Sequence, residues 1–207
     1  MHRRFCGLLA AMAAIAASVW PCVSQAQDTG SLVVIQQRKF RLVHELELGA
    51  SFAPLDAFTK GLGPELAYTL HFTDELGWEI IRAGYLFGLD TGLRSQLSSE
   101  FGVAPTTFET LQYYASSSVI WSPLYGKLAS NNARITHVEV FFTLGPAVGR
   151  FSSSYGYGPE IGIGFRTFLN QYISWRLEAR DAYLFGSSAP EVFWVMTGFS
   201  LNLGGGN

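Results

Sequence analysis

Apolar and polar side chains exchange places at every second residue over most of this chain. Between residues 41 and 52, Leu42, His44, Leu46, Leu48, Ala50 and Phe52 share one parity, and Arg41, Val43, Glu45, Glu47, Gly49 and Ser51 share the other. Alternate residues of a β-strand face opposite ways, so this stretch predicts a strand with one oily and one polar side. Seven further stretches repeat the pattern, at about 65–72, 81–87, 111–121, 137–145, 160–169, 175–180 and 193–203. In the stretch at 111–121 the oily set is Leu111, Tyr113, Ala115, Val119 and Trp121. With their flanks, such stretches suit the roughly 9–11 residues of a tilted membrane strand.

A soluble β-sandwich also alternates, but its polar face meets water and usually carries Lys, Thr, Glu and Ser. Here the polar parity mixes Gly and Ser with Glu and Arg, and Lys is nearly absent. The oily parity ends in aromatics: Phe72, Trp78, Phe87, Trp121, Trp175 and Phe193. Aromatics near strand ends match the interfacial girdles of outer-membrane barrels. The expected fold is all-β, an eight-stranded antiparallel transmembrane β-barrel of outer-membrane type.

Composition narrows the classes. Charged residues make up 14% of the 207 residues, against roughly 25% in soluble domains. So little charge with so much apolar content excludes a disordered chain. A pI near 6.1 offers no basic surface, so no nucleic acid is expected as a partner. The first 26 residues read as a secretory signal: Arg3 and Arg4, an apolar core at 8–19, and Ser24-Gln25-Ala26 before the cut. Cleavage there removes both cysteines, Cys6 and Cys22, and leaves 12 basic residues against 16 acidic. Disulfides and thiol chemistry are thereby excluded from the mature chain. Residues 27–39 alternate weakly and are expected to be a periplasmic lead-in, with the barrel over 40–204.

The links predict sidedness. Outer loops are expected at 53–63, 89–109 (with a short helix over 93–101), 146–158 and 185–190, and short periplasmic turns at 73–77 and 168–172. Long outside and short inside is the outer-membrane habit. The link 122–134 is the exception, periplasmic by position yet long.

That link carries Trp121, Pro123, Tyr125, Gly126 and Lys127 in the order W-S-P-L-Y-G-K. Pro123 fixes its own φ and Gly126 admits positive φ, so the pair suits a compact turn. The motif resembles the W-x-P-x-Y-G-K turn of a small outer-membrane β-barrel domain family known chiefly from myxobacteria and their relatives. The similarity runs over about 40–203. It implies a one-domain outer-membrane barrel without established catalytic residues, and some relatives are associated with envelope machines such as gliding-motility complexes.

The polar parity collects Glu45, Glu47, Glu65, Arg82, His137, Glu139, Glu160, Arg166, Arg176, Glu178 and Arg180. An eight-stranded barrel is just wide enough for side chains to fill. Buried charges must pair there, so a lumenal salt-bridge network is expected; a narrow channel for small solutes or ions is the alternative. A lipid-modifying enzyme such as a lipid A deacylase is a second alternative, since some eight-stranded barrels carry a lipid-facing His and Ser two apart. Here Glu139 stands two after His137, both on the inward parity, and the triad logic lacks its nucleophile. His44 and His71 stand apart from any carboxylate set at ligand spacing, so no metal site is expected. The reading is a non-enzymatic structural or scaffold barrel of the Gram-negative envelope, with no cofactor. Its expected partners are outer-membrane lipid and lipopolysaccharide, the barrel-assembly machinery and an envelope protein complex.

Overall fold

The computed structural model describes residues 38, 40–55, 59–90, 110–130, 134–187 and 190–204. The signal at 1–26, the expected helix at 93–101 and all of the lead-in except Arg38 lie outside the described residues. Nine stretches of strand follow one another: β1 His44–Ala53, β2 Thr59–His71, β3 Leu76–Tyr85, β4 Phe87–Asp90, β5 Leu111–Ser130, β6 Arg134–Phe151, β7 Tyr155–Phe168, β8 Ile173–Tyr183 and β9 Glu191–Leu203. β3 and β4 are one strand in two pieces. Opposite β2 the register is unbroken, with Glu65 facing Gly84 and Leu62 facing Phe87. Pro64 falls between those pairs and has no N–H to give the ladder.

Each strand pairs antiparallel with its neighbour in sequence, and β1 pairs with both β2 and β9. The sheet therefore closes into an eight-stranded antiparallel barrel, in which every strand has a partner on both sides over part of its length. Both ends of the chain of strands, the turns 72–75 and 169–172, and the Ser130–Arg134 pair that ends the β5–β6 ladder lie at one end of the barrel, called here the terminal end. Two of those turns are held by side chains. Thr73 Oγ1 accepts from the N–H groups of Glu75 and Leu76 at 3.3 Å and 3.0 Å, and Asn170 Oδ1 accepts from those of Tyr172 and Ile173 at 2.8 Å and 2.7 Å. Ala53, Thr59, Asp90, Leu111, Phe151, Tyr155, Tyr183 and Glu191, the opposite ends of the strands, mark the other end, called here the loop end.

Two expected links are strand instead. The W-S-P-L-Y-G-K segment is no turn: β5 runs through it to Ser130 and pairs with β6 as far as Arg134. Its register shifts between Trp121 and Leu124, a bulge that absorbs Pro123. Ser122 N–H still reaches Glu75 O at 2.7 Å, but β3 supplies no partner beyond it. Proline is tolerated there because that side of β5 has become an edge, which Pro123 and the exposed Lys127 protect from stray pairing. The expected outer loop at 146–158 likewise shrinks to 152–154. Pro146 and Pro159 face each other inside the β6–β7 ladder, while the β5–β6 pairing skips Gly145 and Pro146. A third correction concerns Leu111, which a register shift before Tyr113 turns inward, to 1% exposure.

The inner wall changes chemistry along the axis. On β8 the buried residues run Ser174, Arg176, Glu178, Arg180, Ala182; on β9 they run Asn202, Ser200, Met196, Trp194, Val192. The loop end is filled by an apolar cluster that includes Leu86, Leu111, Tyr114, Phe151, Leu184, Trp194 and Met196. Towards the terminal end the buried lining is mainly ionic and polar.

Candidate functional site

The ionic lumen is the one place where chemistry-bearing side chains converge among the described residues. All eleven residues of the inward set, Glu45, Glu47, Glu65, Arg82, His137, Glu139, Glu160, Arg166, Arg176, Glu178 and Arg180, are buried, none more than 7% exposed. Strand alternation aims each of them at the axis, and closure of the sheet brings residues up to 131 apart in sequence into contact.

Arg82 is the hub. Its Nη2 donates to Glu47 Oε2 at 2.8 Å, to Glu79 Oε2 at 2.8 Å and to Glu178 Oε1 at 3.0 Å; its Nη1 donates to Glu65 Oε1 at 2.9 Å. Arg180 binds Glu79 with both Nη groups, at 2.9 Å and 3.0 Å, and reaches Glu160 Oε1 at 2.6 Å and Glu178 Oε2 at 2.7 Å. Arg176 pairs with Glu45 at 3.1 Å, Glu47 at 3.2 Å and Glu178. Arg166 links Glu45 at 2.6 Å to Glu139 at 3.1 Å. The groups thus form one continuous lattice. Charged hydrogen bonds of this kind are the strong ones, and each guanidinium fork meets several carboxylates at once.

Aromatic rings fill the gaps that glycine leaves. A Cβ on Gly164 would lie 2.2 Å from the Phe141 ring, and one on Gly84 would lie 2.4 Å from the Tyr114 ring. The glycines therefore admit those rings flat against the wall. Phe141 then sits beneath the guanidiniums of Arg176 and Arg166, at 4.6 Å and 5.3 Å. Tyr114 joins the two zones, donating to Glu65 Oε2 at 2.7 Å while its ring packs 5.3 Å from Trp194.

Two members of the lattice escaped the sequence reading. Glu79 is fully buried between Arg82 and Arg180, although alternation back from Ile81 would turn it outward. A bulge at Ile80–Ile81 shifts the register and points Glu79 and Arg82 the same way. The doubled isoleucine between two charges was the available signal. Arg38 is the other. It donates to Glu139 Oε2 at 3.3 Å and to Ser122 O at 2.6 Å, with its guanidinium 5.3 Å from the Tyr125 centroid. Phe40 stacks on Phe168 at 5.4 Å and meets His137 edge-on at 5.3 Å. Arg38, from the stretch expected to be a periplasmic lead-in, and Phe40, at the expected start of the barrel, therefore form a stopper in the terminal mouth. Tyr125 of the motif joins it there, while Trp121 and Lys127 are exposed and Gly126 opposes Val138.

His71 Nε2 sits 2.8 Å from Glu45 Oε2. Among the described residues seven buried carboxyl groups (Glu45, Glu47, Glu65, Glu79, Glu139, Glu160, Glu178) stand against five guanidiniums with Arg38, two more acids than arginines.

On the outside, Phe72, Trp78, Phe87, Trp121 and Phe193 are exposed and Trp175 is half-exposed. Trp78 Nε1–H donates to Ser117 Oγ and Trp175 Nε1–H to Thr197 Oγ1, both at 3.0 Å, so each indole satisfies its polar atom on the wall. The chain resembles several solved barrels. Neisserial surface protein A shares 12% identity over 77% of this chain and 97% of that one, with a TM-score of 0.43. Ail, the attachment invasion locus protein of Yersinia pestis, shares 10% over 76% and 96%, at 0.40. The N-terminal β-barrel domain of Pseudomonas aeruginosa OprF shares 12% over 79% and 100%, at 0.38. No family model and no curated protein matches the chain.

Proposed function

We propose that this chain is an integral outer-membrane β-barrel that serves as a non-enzymatic structural element of the envelope, its lumen sealed rather than conducting. The observation that carries the reading is the inversion of its surfaces. Leu48, Leu66, Ile81, Val119, Leu144, Ile163 and Phe199 are exposed on the outer wall, while ten Glu and Arg residues of the inward parity, with His137, are buried. A water-soluble barrel would gain nothing by exposing so large an apolar belt.

Two aromatic levels frame that belt. Trp78, Trp121 and Trp175 lie towards the terminal end, and Phe87, Tyr113, Tyr155, Tyr157 and Tyr183 towards the loop end. Trp175 and Tyr183 are eight steps apart on β8, roughly 26 Å along the strand. At a tilt of about 40° that is roughly 20 Å along the axis, close to the ~25 Å apolar band of outer-membrane barrels. The short turns at the terminal end support placing it in the periplasm.

The channel alternative loses its motive in this geometry. The lumenal charges are engaged with one another, under an apolar plug at one mouth and the Arg38–Phe40 stopper at the other. The deacylase alternative meets the same difficulty, since His137 packs among Phe40, Tyr125 and Phe168 at the lumen side. The test is direct. Detergent-extracted chain should migrate faster unheated than boiled on an SDS gel and should leave planar bilayers silent. A single heat-independent band overturns the barrel-in-membrane reading, and steady conductance overturns the sealed lumen.

A further inference from the structure

On the outer wall at the loop end the surface sinks between two aromatic groups. Tyr85 packs against Phe87 and Tyr113 on one side, at 4.6 Å and 4.7 Å between centroids. Phe185 packs against Tyr183 and Tyr157 on the other, at 5.0 Å and 6.4 Å. Between them the outward positions carry small side chains, Ala83 and Ala115, with Val148 beside them, and a depression of about 470 Å³ results. That is within the ~300–1,000 Å³ of small-molecule sites. Along β6 and β7 it runs on past Val148 and Tyr157 into a second depression of about 560 Å³, bordered by the Pro146 and Pro159 pair. The result is an elongated apolar trough on the lipid-facing wall.

One cation stands in this trough. Arg150 lines it, is exposed, and holds its guanidinium 5.3 Å from the Tyr155 centroid, with no ion pair among the described residues. It lies next to the last residue of β6, at the level of the outer aromatics. An arginine on the lipid face costs ~2–4 kcal/mol at mid-membrane but only ~0–1 near the interface, where its head meets anionic groups. A guanidinium matches a phosphate with two parallel hydrogen bonds. The Tyr155 and Tyr157 rings add flat faces and hydroxyls of the sort that a sugar can use.

We propose that the trough binds one phosphorylated glycolipid of the leaflet at the loop end, an acyl chain lying along Ala115 and Val148 and a sugar-borne phosphate held by Arg150. The site rests on the membrane reading above. In the test, purified full-length chain in nanodiscs is offered diphosphoryl lipid A, its dephosphorylated form, or phosphatidylglycerol, and retained lipid is read by native mass spectrometry. Wild type should retain one diphosphoryl lipid A in preference to the other two. Arg150→Gln should lower that retention about tenfold, which corresponds to roughly 1.4 kcal/mol. Ala115→Phe, which fills the trough, should do the same, and Arg150→Lys should keep part of it. Equal retention of the three lipids, or variants indistinguishable from wild type, overturns the site alone when the unheated wild-type protein still runs fast on SDS gels. Wild-type protein that neither shows that shift nor enters nanodiscs overturns the membrane reading and the site with it.

Discussion

Along β8 and the residue after it the lumen is lined, from the terminal end upward, by Ser174, Arg176, Glu178 and Arg180, and then by Ala182 and Leu184. β3 and the residue after it follow the same order, Glu79 and Arg82 before Leu86, and β9 passes from Asn202 and Ser200 to Met196 and Trp194. One closed wall thus encloses two fillings of opposite chemistry. The apolar plug is held by area removed from water and by close packing, terms that are local and graded. The ionic zone is held by groups that are costly to bury alone and tolerable only together. Damage to it should therefore spread, whereas damage to the plug should stay near the cavity it makes.

The largest expected effect comes from the hub. Arg82→Leu removes the one guanidinium that Glu47, Glu65, Glu79 and Glu178 all share, leaving Arg176 to Glu47 and Glu178 and Arg180 to Glu79 and Glu178. Removing one side of a buried ion pair costs about 3–5 kcal/mol, and four carboxylates at one point put this variant at or above that range. Urea titration of the chain folded in lipid vesicles, followed by tryptophan fluorescence and the gel shift, measures it. A loss below about 1 kcal/mol would mean that the ionic zone is not interlocked. Next comes the plug. Trp194→Ala removes a fully buried ring that packs on Tyr114, for about 3 kcal/mol in the same titration. Its bilayers should stay silent, because the ionic layer beneath still fills the barrel. Currents in that variant would show that the plug alone closes the lumen. Smaller again is Arg38→Ala, which cuts a charged hydrogen bond to Glu139 and one to Ser122 O at the terminal mouth. About 1–2 kcal/mol is expected, with faster protease cleavage ahead of β1.

How much of this was legible in the sequence follows from the same division. Alternation reported the outward face well, because Leu46, Leu48, Leu66, Ile161 and Ile163 repeat at period two with lipid on one side and charge on the other. The pattern fails wherever a bulge adds a residue. For that reason alternation turns Leu111 outward and passes over Glu79, and it reads Pro123 as a turn and Pro146 as the start of a loop because a proline reads the same in a bulge, at an edge or in a loop. The apolar plug was hidden more deeply. Leu86, Trp194 and Met196 sit on the inward parity, which local sequence marks as polar, and only the stagger of the closed barrel gathers them at one height. Arg38 has no periodic neighbour to place it at all. Its position is set by Glu139 and Ser122, 101 and 84 residues away.

The smallest effect sharpens the comparison most, because the ionic zone does not treat its carboxylates alike. Glu160 lies where the two fillings meet. It takes Arg180 Nη1 and Ser118 Oγ on Oε1, at 2.6 Å and 3.2 Å, while its buried Oε2 has no hydrogen-bond partner among the described residues. Arg180 keeps Glu79 and Glu178 when Glu160 is neutralised. The lumen also holds two more carboxyl groups than guanidiniums, so replacing one of them by an amide leaves every arginine a carboxyl partner. Glu160→Gln preserves shape, keeps an acceptor for Arg180 and gains a donor, and it should change unfolding free energy by less than about 1 kcal/mol, in either direction. Glu178→Gln, the same chemical change at a residue gripped by Arg82, Arg176 and Arg180, should cost several times more. Equal losses in the two variants would show that the lattice counts charges without regard to their neighbours, and the contrast between hub and margin would go with it.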